Sequence, residues 1–333
     1  MPIRSPSTDS AKAPRMSERS NPSPRRVTVL FNPHAGRAKA RALPDELVSR
    51  LAEAGFAAEA VPDLADACGE ANRLHRAGAL RAIVAAGGDG TIAEVVNRTE
   101  PGVPIATLPL GTENLLARHH GIACDAAAVA DTIARGRVVD LDVGRATTEA
   151  GSRLFLLMAS AGLDAEIIRR LHAGRRGNIS HWSYIAPILS AAATYRYPVV
   201  RIVGAESPGK EAVAERFARW ALAFNLPCYA GMLRFLPEYG RDWTTRASDG
   251  RLDLCRFECG GFWHTLYYYV WLLLGRAERI GTRQVEQFAR MRLEAADARE
   301  RIPLQVDGDP CGFLPAEIDV LARRLRLIAP RLE

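Results

Sequence analysis

Short apolar runs alternate with helical spacings over the first part of the chain. Val27–Phe31, Arg81–Ala86 and Ile105–Pro109 are short, mainly apolar segments, typical of strands buried on both faces. The segments between them repeat apolar residues every three or four positions, which predicts helices. The predicted helices are Leu43–Ala54, a helix capped by Asp63 that ends near Ala77, Thr91–Arg98 and Ala126–Arg135. Strands that alternate with helices predict a parallel sheet with helices on both faces.

After Asp140 the pattern changes to strands with few helices between them. The predicted strands are Val138–Arg145, Arg153–Ser160, Val199–Val203, Phe217–Asn225, Arg251–Glu258, Arg290–Ala295 and Ile302–Val306, and the predicted helices are 163–173, 180–194 and 263–276. This pattern predicts a largely antiparallel second domain. The last apolar segment, Ile318–Ala329, alternates like a strand and fits either domain.

The 333 residues suit about two domains. Residues 1–24 are rich in Ser, Pro and Arg and carry little that could be buried, which predicts a disordered basic tail. We expect an α/β domain over 25–140 and a β-rich domain over 141–317, with 318–330 as a segment that could return to the first domain.

Charge argues against nucleic acid as a partner. The formal net charge is +6, but residues 1–26 hold six Arg or Lys and two acids, so the other 307 residues carry only +2. The folded part is therefore nearly neutral and lacks a basic patch for nucleic acid. The tail is either a solvated extension or a basic arm that contacts anionic lipid.

The sequence predicts no transmembrane segment. The longest uninterrupted apolar run, Leu266–Leu274, has nine residues, whereas a membrane-spanning helix needs about 20. The first 26 residues lack the apolar stretch of a signal peptide, and six scattered cysteines fit a reducing cytoplasm. Phe262–Trp271 is an aromatic-rich predicted helix that either packs in the core or faces a membrane interface.

The strongest local feature is Gly87-Gly88-Asp89-Gly90-Thr91, between an apolar strand and a predicted helix. Three glycines remove the Cβ atoms that would keep a ligand from the backbone, and the helix N-terminus adds positive potential. The loop is therefore a candidate phosphate cradle, with a ligand-free tight turn as the alternative. It matches neither the dinucleotide fingerprint nor the P-loop.

Five motifs in this order make the chain similar to the diacylglycerol-kinase catalytic-domain family, in its bacterial lipid-kinase branch, related to sphingosine and ceramide kinases. They are Phe31-Asn32-Pro33 with Gly36, the Gly87–Thr91 loop, Leu108–Asn114, Ser248–Asp253 and Val306–Asp309. The resemblance implies an α/β fold with a doubly wound nucleotide-binding domain and a mainly antiparallel β-sandwich domain. ATP would lie in the cleft between the domains, and the chain's end would return to the first one.

The resemblance also implies a function. The protein would be an ATP-dependent lipid kinase with ATP and Mg²⁺ as cofactors and diacylglycerol or a related lipid as substrate. It would be cytoplasmic and peripheral at the inner membrane surface, with a homodimer left open as its oligomeric state.

Site residues follow from the matching motif positions. Gly87, Gly88, Asp89, Gly90 and Thr91 would hold the ATP phosphates, with Thr112 and Asn32 closing the site from neighbouring strands. Asn32 could equally be a turn-former. Asp307 would be the general base, with Asp89 as a second catalytic acid, and Asp249 and Asp309 would bind metal.

Two alternatives stay open. The Gly-Gly-Asp-Gly-Thr motif is shared with NAD kinases, which would mean a soluble substrate. A non-catalytic nucleotide- or lipid-binding relative is the other alternative, because Glu113 and Asp309 stand where the family has a small residue and Glu. His119 and His120 are adjacent on a predicted helix and are expected at the surface rather than at a metal.

Overall fold

The structure is a computed structural model that describes residues 25–31, 42–173, 185–205, 214–226, 233–237 and 246–331. Within these residues the strands form one ten-stranded and one six-stranded sheet. The predicted tail over 1–24, Asn32 and residues 180–184 of one predicted helix lie outside the described residues.

The N-terminal part is a parallel sheet between two layers of helices. Its strands are β1 Arg26–Phe31, β2 Ala57–Val61, β3 Leu80–Gly87 and β4 Pro104–Pro109, in the order β2-β1-β3-β4. Its helices are α1 Leu43–Glu53, α2 Leu64–Arg76, α3 Asp89–Arg98, α4 Leu115–His119 and α5 Ala126–Arg135. Helix α1 packs against α5 and α2 against α3, and right-handed crossovers put these pairs on opposite faces.

The predicted cap of α2 is confirmed. The Asp63 carboxylate accepts hydrogen bonds of 2.8 and 2.9 Å from the backbone N–H groups of Ala65 and Asp66. These are two of the N–H groups that a helix cannot satisfy within its own first turn.

The second part consists mainly of antiparallel strands. They are β5 Arg137–Thr148, β6 Gly151–Phe155, β7 Met158–Gly162, β8 Val200–Ala205, β9 Ala214–Ala218, β10 Trp220–Phe224, β11 Leu252–Phe257, β12 Arg283–Phe288, β13 Arg290–Ala295, β14 Pro303–Val306, β15 Asp309–Phe313 and β16 Ala316–Ala329. Its helices are α6 Leu163–Ala173, α7 Ile185–Thr194 and α8 Phe262–Leu273. The six-stranded sheet has the order β12-β11-β10-β7-β14-β15.

The last strand joins the two parts. β16 pairs in parallel with β4 at Arg326 and Leu327 and antiparallel with β13 over 316–319, and it pairs antiparallel with β5 on both sides of a register shift. Its register shifts between Leu321 and Leu325, where Arg323 has a φ of 52° and donates its N–H to the buried carboxylate of Asp142. The ten-stranded sheet is thus continuous from the parallel strands into β13, β8 and β9.

Both faces of the six-stranded sheet are covered. One face packs on β8 and β13 through buried residues such as Leu254, Ile202 and Met291, which makes a sandwich. On the other face lie α6, α7 and α8, where Trp220 stacks on Phe257 with ring centroids 4.7 Å apart. The predicted fold class is confirmed.

One surface prediction was wrong. His120 is the C-cap of α4, and its side chain lies in the protein interior with only 8% of its surface exposed. Burial lowers its pKa to about 4. The imidazole is therefore neutral over the physiological range.

Candidate active site

The Gly-rich loop leaves β3 and enters α3 directly. Gly87 ends the strand and Gly88 is the N-cap of α3. The Gly88 carbonyl accepts the Thr91 N–H at 2.9 Å, so the N–H groups of Asp89 and Gly90 precede the first helical hydrogen bond. A Cβ on Gly87 would collide with the hydroxyl-bearing side chain of Thr91. The loop therefore presents bare backbone and a helix N-terminus at the carboxyl edge of the parallel sheet, where ligands bind in open α/β folds.

A second turn closes on this loop from β4. A Cβ on Gly111 would lie 2.5 Å from the Cα of Gly88, so the two backbones pass each other with no room for a side chain. Asn114, at a φ of 49°, holds the turn: its Oδ1 accepts the N–H of Gly111 at 2.9 Å and its Nδ2 donates to the Gly111 carbonyl at 2.8 Å. Thr112, between them, is exposed and free to meet a ligand in solution.

Asp89 joins the two loops. Its carboxylate oxygens accept the backbone N–H groups of Leu115 and Leu116 at 2.8 and 3.0 Å, which caps α4 from the neighbouring loop. Burial raises the pKa of Asp89 above its ordinary value, these two hydrogen bonds oppose the shift, and the nearby charge of Glu113 adds to it. Glu113 itself lies 4.0 Å from the guanidinium of Arg118. The predicted cradle residue thus also holds the cradle's shape.

Asp307 occupies the tip of the β14–β15 hairpin. Asp307 and Gly308, with φ of 50° and 89°, form the two-residue turn, a conformation that Asp-Gly adopts readily. The Asp307 carboxylate accepts three backbone N–H groups from the β6–β7 link: Leu156 at 2.7 Å on Oδ2, and Leu157 and Met158 at 2.8 and 3.0 Å on Oδ1.

The electrostatics of Asp307 suit a base near neutral pH. Burial raises its pKa to about 6, the three N–H groups oppose the shift, and the negative charge of Asp89 raises it further. A carboxylate has about four acceptor positions, so three N–H bonds leave one, on Oδ2.

A cluster of ions lies beside the hairpin. The Arg153 Nη2 contacts Glu94 of α3 and Asp309 of β15, each at 3.0 Å. His172 of α6 lies 3.6 Å from Asp309 and 3.2 Å from the Gly308 carbonyl. Asp309, a predicted metal ligand, is thus engaged by a cation, and the cluster fixes β15 relative to α3.

Asn97 reinforces the same junction. Its side chain accepts the N–H of Leu154 at 2.8 Å and donates to the Leu154 carbonyl at 2.9 Å. These two hydrogen bonds attach α3 to the backbone of β6. The Gly-rich loop at the N-terminus of α3 is therefore held in a fixed position relative to the β6–β7 link that binds Asp307.

Asp249 lies apart from these groups. Its carboxylate accepts the Arg251 N–H at 2.9 Å and lies 3.5 Å from the Gln287 side chain, at the β11–β12 side of the six-stranded sheet. Asp309 is on β15, four strands away from β11, which at ~4.8 Å per strand is about 19 Å. The two predicted metal ligands therefore cannot share one ion.

The described residues contain no group of three His, Cys, Asp or Glu placed to hold a metal ion. Mg²⁺ is commonly bound through one or two carboxylates together with substrate phosphates and water, a requirement that Asp89 beside the cradle fits.

Residues 26–146 match the family model of the diacylglycerol kinase catalytic domain. Over these residues the chain is similar to that family. The resemblance inferred from the motifs is confirmed, and the matches support a kinase.

Relatives extend the similarity over the rest of the chain. The diacylglycerol kinase of Bacillus subtilis (strain 168) is 24% identical over 314 residues, 92% of this chain and 97% of that protein. That of Staphylococcus saprophyticus is 33% identical over 144 residues, 41% of this chain and 45% of that protein. A crystal structure of a diacylglycerol kinase from Bacillus anthracis str. Sterne has the same fold, with a TM-score of 0.62 and 20% identity over 92% of this chain and 97% of that one.

Sequence reasoning missed the residues that join the two parts. Glu94 and Asn97 are ordinary polar positions of a predicted helix, and Arg153 is one of many arginines. The only sequence signal was that Glu94 and Asn97 share the exposed face of the helix that begins at the Gly-rich loop.

Proposed function

We propose that the protein is an ATP-dependent lipid kinase, which transfers the γ-phosphoryl group of ATP to the hydroxyl of diacylglycerol or a related lipid. One observation carries the proposal. The Gly-rich loop and the Asp307 hairpin come from different parts of the chain, yet Arg153 joins them through contacts of 3.0 Å with Glu94 of α3, the helix that begins at the loop, and with Asp309 of the hairpin.

The phosphates of ATP would lie on the β3–α3 loop. Phosphate is bound well by a helix N-terminus and unobstructed backbone N–H groups, and the close approach of Gly88 and Gly111 keeps side chains out of the cradle. Thr91 and Thr112 would add hydroxyl donors. Mg²⁺, held by Asp89 together with phosphate oxygens and water, would neutralise charge on the transferred group.

Asp307 would act as the general base. The bond that forms joins the lipid hydroxyl oxygen to the γ-phosphorus, the bond that breaks joins that phosphorus to the oxygen of the leaving ADP, and the hydroxyl proton passes to Oδ2 of Asp307. A pKa of about 6 leaves this carboxylate ionised at pH 7, yet more basic than an ordinary Asp.

Arg153 would orient the hairpin rather than take part in proton transfer. Its two carboxylate contacts hold Asp309 against Glu94, so Asp307, two residues before Asp309, keeps a fixed position relative to the phosphate loop. Enzymes depend on such positioning, because small displacements of reacting groups are costly.

The direct test is transfer of label from [γ-³²P]ATP to lipid. The purified protein is incubated with vesicles that contain diacylglycerol, ceramide or sphingosine one at a time, and in a separate reaction with NAD. Labelled phospholipid in the diacylglycerol reaction supports the proposal. Labelled NADP, or no product with nucleotide still bound, would replace it by the NAD-kinase-like or the non-catalytic alternative.

A further inference from the structure

Helix α8 carries an unusually apolar exposed surface. None of the described helices is long and apolar enough to cross a membrane. Yet of the eleven large hydrophobic residues that are exposed in the described part of the chain, seven lie on α8 or directly after it. They are Phe262, Trp263, Leu266, Tyr267, Val270, Leu273 and Leu274, and are called the apolar α8 face below.

The apolar α8 face is one continuous stripe. Its members recur every three or four residues, which puts them on one side of a helix. Trp263 is 77% exposed and Leu274 62%. The opposite side of α8 is packed: Thr265, Tyr268 and Leu272 are buried against the six-stranded sheet. The helix is therefore packed on the sheet through its inner side, and the apolar residues on its outer side are exposed although the helix is in place.

Polar groups hold α8 in place from the inside. The Thr265 hydroxyl bonds the Tyr197 hydroxyl at 2.6 Å, and the Tyr268 hydroxyl bonds that of Thr282 at 2.8 Å. Residues 262–274 contain no Asp, Glu, Lys or Arg. The outward face therefore lacks the charged side chains that usually interact with water on an exposed helix surface.

Cations surround the C-terminal end of this face. Arg276 and Arg279 are exposed, and Arg279 lies over the Trp271 ring at 5.4 Å from its centroid. Arg234 is also exposed and is tied to the helix end, because its N–H donates to the Leu272 carbonyl. One acid, Glu278, lies among these three arginines, so the rim is net positive.

The same helical layer reaches the candidate active site. Helix α7 packs against both α8 and α6, and Arg170 of α6 bonds the hydroxyls of Ser190 and Thr194 on α7 at 3.0 and 2.8 Å. At the far side of the layer His172 of α6 meets the Gly308 carbonyl, next to Asp307. A surface that rests on α8 would therefore lie alongside the layer that backs the catalytic hairpin.

We propose that the apolar α8 face and its arginine rim bind the surface of an anionic phospholipid membrane, with α8 lying in the interfacial plane. The inference deepens the proposed function and rests on it for the view that the substrate is a lipid. Trp and Tyr favour the membrane–water boundary, aliphatic side chains favour the acyl region below, and arginines at the edge meet anionic headgroups.

The test is co-sedimentation of the full chain with vesicles of phosphatidylcholine and about one-quarter phosphatidylglycerol, without substrate or ATP. A double variant, Leu266→Ser with Val270→Ser, removes the centre of the face, and Phe217→Ser on β9 is the control, since Phe217 is 50% exposed elsewhere. We expect at least ~10-fold weaker binding for the double variant and no change for the control. Arg276→Gln should weaken binding to anionic vesicles about 5-fold, and binding to pure phosphatidylcholine much less.

Depth is measured separately. Brominated acyl chains should quench tryptophan emission of the unmodified protein on vesicles, and Trp263→Phe should remove most of that quenching. Circular dichroism and thermal melting check that each variant folds.

Unchanged vesicle binding by the folded double variant overturns the inference. So does a double variant whose oligomeric state changes in light scattering while its vesicle binding does not, since the face would then be a contact between copies of the chain. Transfer of phosphate to detergent-dispersed diacylglycerol separates this inference from the proposed function. If the unmodified protein transfers no phosphate but its vesicle binding still depends on α8, the proposed kinase function is refuted and the proposed membrane-binding face is retained. If phosphate is transferred but vesicle binding does not change in the α8 variants, only the inference about the membrane-binding face is refuted.

Discussion

Asp307→Asn separates a base from a turn-former. Asn has the same size and tolerates the positive φ of 50° at this position. Its one carbonyl oxygen can replace Oδ1 and accept Leu157 and Met158, but its NH₂ group then faces the Leu156 N–H, which loses its acceptor. A buried N–H without a partner costs ~1–3 kcal/mol.

Ionisation of Asp307 acts in the opposite direction. The pKa rises from an ordinary 3.8 to about 6 in the folded protein, so ionised Asp307 costs about 3 kcal/mol of stability at pH 7. The sign follows from proton binding: between about pH 4 and pH 6 the folded chain holds a proton that the unfolded chain has released, so stability falls as pH rises. Asn removes this cost. At pH 7 the two effects are similar in size and opposite, so the variant should unfold at a urea concentration close to that of the unmodified protein.

Activity should respond much more strongly than stability. We expect phosphoryl transfer to fall by ~10²-fold or more, the usual effect of losing a general base. The rate of the unmodified protein should rise with pH through about 6, as Asp307 loses its proton, and this rise should be absent in the variant. Initial rates with labelled ATP and dispersed lipid between pH 5 and 8, with nucleotide affinity by calorimetry, give both quantities. Asp297→Asn, in another exposed turn, is the matched control.

A result with one clear meaning would refute this reasoning. If Asp307→Asn keeps more than about a third of the rate with unchanged nucleotide affinity, then Asp307 is only the turn that pairs with the β6–β7 link. Asp249, Asp253 and Glu113 would then be the remaining carboxylates to test.

Three further changes probe the cradle and the tail. Gly111→Ala puts a Cβ 2.5 Å from the Gly88 Cα and should weaken nucleotide binding at least ~10-fold by calorimetry, while Gly90→Ala, whose Cβ meets nothing within 4 Å, should melt like the unmodified protein. Asp89→Ala should abolish transfer and also lower stability by ~1–2 kcal/mol in denaturant unfolding, because α4 loses its cap; unchanged stability would contradict that role. Deleting residues 1–24 should weaken sedimentation with anionic vesicles at low salt but not at high salt, because these residues carry four Arg or Lys against two acids, a net +2; equal binding at low salt would mark the tail as inert.

The fold followed from sequence wherever local chemistry decided the structure. The Asp63 cap and the Gly-rich turn each depend on a few neighbouring residues, and both were predicted. The strand β2 was missed because Ala57–Val61 is alanine-rich and partly exposed, so it shows no run of large apolar residues.

Features that depend on distant parts of the chain were harder to predict. Phe217–Asn225 is two strands, because at Arg219 the chain passes from β9 of the ten-stranded sheet to β10 of the six-stranded sheet. The burial of His120 and the capping of α4 by Asp89 depend on how separate segments meet. The site residues themselves remain predictions, and the division of the chain at residue 140 is a prediction too.

The continuity of β16 determines how this molecule can come apart and how it can move. One strand pairs with β4 on one side of the register shift and with β13 on the other. Separating the parallel strands from β13, β8 and β9 therefore requires breaking the pairing of β16 with β4 or its pairing with β13. A chain that stops before Ala316 would leave β4 with an unpaired edge, and residues 25–140 alone should not fold cooperatively. The ladder of β16 with β5 is interrupted at Arg323, so we expect any bending of this strand to concentrate there.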